Sequence, residues 1–249
     1  MQINFSTISH SVGAVSFILL AIFITNRHLR RQTDHSLLVA AIATSIWMLV
    51  MIGQSLGVEI PFYIRYTLEL VRNAAWFDVI YALLGISFFP KRVLGKDHIY
   101  LTSSVLVLLA FMLSLTLFQG ISGIQLVSVQ IILILQLAIS IVGILLLEQA
   151  WRNANSFRRD GIRYFTIAIG SIFAYDFLMY TDAMLFQELP EALWDARGLI
   201  NALIVPFITL TIINSQKQSV GIHVSRQMVF HSTTLILAGI YLIFISIGG

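Results

Sequence analysis

The sequence predicts an all-α protein: a polytopic membrane helix bundle of about eight transmembrane helices, with the N-terminus outside. Three observations predict it. The 249 residues are 58% hydrophobic and only 11% charged, against about 25% charged in soluble domains. Eight segments approach the roughly 20 apolar residues that a bilayer crossing needs. Basic residues gather in every second connection between those segments, as the positive-inside rule requires of a multi-pass protein.

The spans follow in order. Residues 6–25 form the first. The start, MQINFSTISH, has no Lys or Arg and no small-residue cleavage site follows the apolar run, so this is an uncleaved helix and not a signal peptide. Segment 36–56 is apolar. Segment 66–89 is interrupted by Glu69, Arg72, Asn73 and Asp78, 99–117 is apolar, and 124–147 contains Gly143. Segment 164–186 holds Gly170, Asp176 and Asp182; 197–213 is the shortest and contains Pro206, which predicts a kink. Segment 228–248 begins beside His231 and ends just before Gly249; eight spans from an outside N-terminus leave the C-terminus outside too. No repeat of 20–50 residues and no low-complexity stretch interrupts this order, so residues 1–249 read as a single transmembrane domain.

The charges fix the expected orientation. Arg27, Arg30 and Arg31 follow the first span, and Lys91, Arg92 and Lys96 the third. Arg152, Arg158, Arg159 and Arg163 follow the fifth, and Lys217 and Arg226 the seventh. The opposite connections hold only Arg65 and Arg197, and Arg72 lies inside the third span. The basic connections therefore face the cytoplasm. The pI near 9.3 reports this topology and not a nucleic-acid partner.

Polar side chains at membrane depth are expensive, roughly 2.5–3.5 kcal/mol on insertion scales, and mark either function or helix register. Most of them fall in the outer halves of the third, sixth and seventh spans. Glu69, Arg72, Asn73 and Trp76 share a helix face, and Asp78 lies opposite. Asp176 and Tyr180 are four apart and stack; Tyr175 and Asp182 share another face. Arg197 and Asn201 open the seventh span, after a connection QELPEALWDAR that reads as solvated. The candidate site is therefore Glu69, Arg72, Asn73, Tyr175, Asp176, Tyr180, Asp182, Arg197 and Asn201. Arg72 and Arg197 are the available partners for Asp176, which is expected inside the bundle near the third or seventh span. One reading of this set is an outward-facing ligand pocket. The other is a group of buried pairs that only fix helix register.

Several chemistries are excluded. No lysine lies in a span, so a retinal Schiff base is impossible. There is no cysteine, and the six histidines form no close metal pair. Phosphate-loop and nucleophile-elbow motifs are absent. No catalytic residue, metal or cofactor is predicted.

LLEQAWRNANSFRRDGIRYF (146–165), FAYDFLMYTDAMLF (173–186), ARGLINALIVPF (196–207) and VSRQMVFHSTTLILAGIYL (224–242) resemble the membrane region of PrsK-like sensor histidine kinases of exosortase/PEP-CTERM systems. LELVRNAAWF (68–77) is similar too. The match is strongest over 146–242. The resemblance implies a multi-pass sensor of the bacterial inner membrane, linked to exopolysaccharide and PEP-CTERM regulation. It implies a PrsR-like response regulator as partner and a homodimer formed through a kinase region. The kinase core and its ATP site are absent from these residues, so the expectation is a sensory input module, either a fragment or a stand-alone paralogue. A transporter or channel is a weaker alternative, because the polar residues do not continue into the inner half. A membrane enzyme acting on lipid-linked sugars is another, but no dense outer cluster of His, Arg and Asp supports it.

Overall fold

The computed structural model describes residues 4–26, 32–84, 128–153 and 156–217, together with 114, 118 and 120. The described residues form six helices: α1 (Phe5–Asn26), α2 (Gln32–Ser55), α3 (Phe62–Leu84), α4 (Val129–Asn153), α5 (Ser156–Phe186) and α6 (Glu191–Lys217). Four of them, α1, α2, α4 and α6, are long and apolar enough to cross a membrane. The other two, α3 and α5, are more polar and carry Glu69, Arg72, Asp78, Asp176 and Asp182. The chain divides into two compact units, residues 1–128 and 129–249.

In the first unit α1 packs on α2 and α2 on α3. Asn4 caps α1, its Oδ1 accepting from the Thr7 backbone N–H at 3.0 Å and from the Thr7 hydroxyl at 2.7 Å. The Thr7 and Ser55 hydroxyls meet at 2.8 Å and tie the start of α1 to the end of α2. One face of α1 buries Ala14, Phe17, Leu20 and Ile24, yet the outer face shows Val12, Val15, Leu19 and Ile22. A helix apolar on both faces suits lipid rather than water.

The end of α2 follows from one residue. Gly57 has φ of 90°, a left-handed conformation that glycine adopts without a Cβ penalty. Around it the Val58 N–H reaches the Gly53 carbonyl and the Gly57 N–H reaches the Gln54 carbonyl, each at 3.0 Å. These are the two bonds of a Schellman cap. Pro61 then starts α3, its carbonyl accepting from the Ile64 N–H at 3.1 Å.

In the second unit α4 packs on α5 and α5 on α6. Glycine sets the closeness of the first pair. A Cβ on Gly143 would stand 2.5 Å from the Phe173 ring, so α4 approaches α5 only without a side chain there. Above this contact Leu133 and Leu137 of α4 pack with Met179, Tyr180, Ala183 and Met184 of α5. α5 stops at Gln187, whose φ of 58° is unusual for a residue with a Cβ. Its side-chain amide donates to the Met184 carbonyl at 2.9 Å, satisfying an acceptor that the helix end leaves open. Pro190 starts α6, and its carbonyl accepts from the Trp194 N–H at 2.9 Å.

The observed helices differ from the expected spans mainly at their ends. α3 starts four residues earlier than the expected 66, and α5 eight earlier than 164. α6 starts at Glu191, so most of the expected QELPEALWDAR connection is helix: Pro190 is a helix starter, and Glu191 favours the positive end of the helix dipole. α6 runs through Pro206 without ending. The eighth expected span lies outside the described residues, and so does nearly all of the fourth.

Candidate functional site

The predicted polar residues gather into two centres, one in each unit, and both sit in helix–helix packing. A shallow groove at the α2–α3 turn, lined by Gln54 and Gly57–Pro61, includes none of them.

The first centre belongs to α1, α2 and α3. Arg72 is wholly buried, Asn73 and Glu69 almost so. One guanidinium nitrogen of Arg72 donates to Asn73 Oδ1 at 3.1 Å. The guanidinium carbon lies 4.6 Å from the centre of the Trp47 ring, close enough for a cation–π contact in a desolvated place. Trp76, one turn beyond Arg72, donates its indole N–H to the Thr44 hydroxyl at 3.2 Å and meets Phe17 edge-on at 6.1 Å. The predicted face of α3 therefore exists, and α2 supplies most of what it touches.

The second centre belongs to α5 and α6. Arg197 Nε donates to Asp176 Oδ1 at 2.8 Å, and Arg197 Nη2 is 2.8 Å from the same oxygen. The side chains are 0% and 3% exposed. Aromatic rings lie around the cation, Trp194 at 5.2 Å and Tyr180 at 5.7 Å from the guanidinium carbon. Asn201, one turn along α6, donates its side-chain amide to the Arg197 carbonyl at 2.7 Å. The Tyr175 hydroxyl donates to the Leu193 carbonyl at 2.6 Å, a further bridge between α5 and α6. Asp182 is only half-buried, and no hydrogen bond or ion pair joins it to the centre among the described residues.

Asp176 is thus inside the packing and faces the seventh predicted span, with Arg197 as its ion-pair partner. The sequence reading missed Thr44, Trp47 and Trp194. Trp194 has a usable signal: it precedes Arg197 by three residues, which is one helical turn, within a segment that reads from sequence as a solvated connection with an amphipathic turn. Trp47 had none, since an apolar tryptophan in an apolar span looks like any core residue.

Chemically the second centre is a neutralised pair inside an aromatic shell. Its acid and base bind each other, so neither is poised as a nucleophile or general base. Among the described residues no three His, Asp or Glu side chains come together to hold a metal. No family model, no curated protein and no solved structure matches this chain.

Proposed function

We propose that the chain is the membrane-embedded sensory input module of a PrsK-like two-component histidine kinase. In this reading it crosses the bacterial inner membrane about eight times with its N-terminus outside. It acts through a kinase region that dimerises and a PrsR-like response regulator linked to exopolysaccharide and PEP-CTERM functions. The resemblance of residues 146–242 supports the class, and the alternating basic connections support the topology.

The observation that carries the reading is the buried Asp176–Arg197 pair between α5 and α6. A charge pair in a low-dielectric interior has few acceptable geometries, because displacement leaves two uncompensated charges. Such a contact gives two neighbouring helices discrete packings instead of a continuum. A signal that favours one packing then shifts the population, provided it binds the two packings with different affinity. The Arg72–Trp47 contact does the same for α2 and α3.

The test is a fusion of the chain, through one added span, to a histidine-kinase core. Autophosphorylation in membranes is measured for the parent, Asp176→Asn and Arg72→Ala. The reading expects each variant to change the output level or the response of the fusion to envelope stress. If both variants match the parent in output and in response, the polar centres do not transmit a signal.

A further inference from the structure

Gln136 of α4 is a buried polar side chain that neither centre uses. It is 1% exposed, and both the nitrogen and the oxygen of its carboxamide lack a hydrogen-bond partner. Thr181 of α5 has a buried hydroxyl in the same condition. That hydroxyl departs from the pattern of its kind in this unit. Ser140, Ser171, Thr209 and Thr211 each donate to the carbonyl four residues back on their own helix, and Thr181 does not.

Two contacts fix where these residues stand. A Cβ on Gly170 would lie 3.2 Å from Leu147, so these faces of α5 and α4 touch there. Gln136 comes eleven residues before Leu147, and Thr181 eleven residues after Gly170. Eleven residues make three helical turns plus about 20°, so each residue keeps the face of its reference. At the other end Gln130 donates to Gln187 at 2.9 Å. Gln130 is six residues before Gln136, and Gln187 six after Thr181. The two contacts thus share one antiparallel register, and in it Gln136 and Thr181 lie at the same level of the α4–α5 seam.

We propose that Gln136 and Thr181 form a binding site for a buried water molecule that bridges α4 and α5. A carboxamide offers two N–H donors and an oxygen acceptor, and a hydroxyl both donates and accepts. The three polar atoms match the usual number of partners of a buried water. A buried amide left unpaired costs free energy, and native interiors rarely keep one. Along α4 the flanking Leu133 and Leu137 are apolar and supply no partner. The amide is closed to another chain or a large ligand by its burial, and water is the occupant of the right size. The bridge holds the two helices in one register, and it does not depend on the sensory reading.

The experiment uses the full chain in lipid nanodiscs, with isotope-labelled glutamine amides and water as the probe. The Gln136 amide signal is assigned by its loss in Gln136→Leu. Magnetisation transfer from water to that amide is measured in the parent, Thr181→Ser and Thr181→Val, with helix content checked by circular dichroism. The expected result is a water cross-peak in the parent that Thr181→Ser keeps and Thr181→Val weakens at least twofold. No water cross-peak in the parent, or equal cross-peaks in the parent and Thr181→Val, overturns the site. A close contact from the amide to the Thr181 β-proton without a water cross-peak means a direct bond, and overturns it too. Thermal unfolding gives a second reading. Gln136→Leu should lower the melting temperature, because it removes a satisfied amide. A rise would show an unpaired amide in a dry seam and contradict the proposal.

Discussion

Asp176 and Arg197 form a pair closed to solvent from both sides: two guanidinium nitrogens lie 2.8 Å from one carboxylate oxygen, with 0% and 3% of the two side chains exposed. Removing one partner strands the other charge. Asp176→Ala and Arg197→Ala should each destabilise the protein by about 3–5 kcal/mol. The double substitution, Asp176→Ala with Arg197→Ala, should cost less than the sum of the two single ones. A double-mutant cycle of denaturation in detergent measures this directly. Additive losses would show that the two charges do not depend on each other.

Arg72 acts through shape as well as charge. Lysine keeps the charge but lacks the flat guanidinium that lies over Trp47 and donates to Asn73. Arg72→Lys should therefore lower stability by about 1–2 kcal/mol, the magnitude of a desolvated cation–π contact. The melting temperature in nanodiscs should fall for Arg72→Lys, and Trp47→Leu should lower it less in the Arg72→Lys background than in the parent.

Two glycines of the second unit should respond differently to the same change. A methyl on Gly143 meets the rigid Phe173 ring at 2.5 Å, whereas one on Gly170 meets a Leu147 methyl at 3.2 Å. Gly143→Ala is an overpacking substitution and should cost about 1–3 kcal/mol. Gly170→Ala should cost less, because a leucine end moves more easily than a ring. Comparing the two variants, and Gly143→Ala with Phe173→Leu added as rescue, tests whether close α4–α5 approach depends on this position.

The helices were legible in the sequence because length and apolarity alone specify them, and Asp176 was legible because a carboxylate in an apolar stretch demands a partner. What was hidden depended on neighbours distant in sequence. Arg197 and Arg72 were equal candidates for Asp176 until folding brought α6 against α5. Glu191 to Ala196 read as part of a solvated connection because Glu188, Glu191 and Asp195 charge it, while Pro190 and the dipole make them the first turns of α6. Gly143 looked like any membrane glycine, since its role is set by the ring it faces and not by its own segment.

The absence of cysteine makes the topology directly measurable. Single cysteines at Glu59 and Glu188, both exposed at turns, should react with a membrane-impermeant maleimide added outside whole cells. A cysteine at His35 should react only after the membrane is opened. Labelling of His35→Cys in intact cells would reverse the proposed orientation.

The most direct test of the account is kinase output when the buried pair is broken and then restored in reverse. In the kinase-core fusion, Asp176→Asn and Arg197→Gln should each fix autophosphorylation at a level that no longer responds to envelope stress. The exchange of Asp176→Arg with Arg197→Asp should recover part of the response, because the attraction between α5 and α6 returns. Output and response equal to the parent in both single variants would contradict the claim that this pair holds the signalling packing.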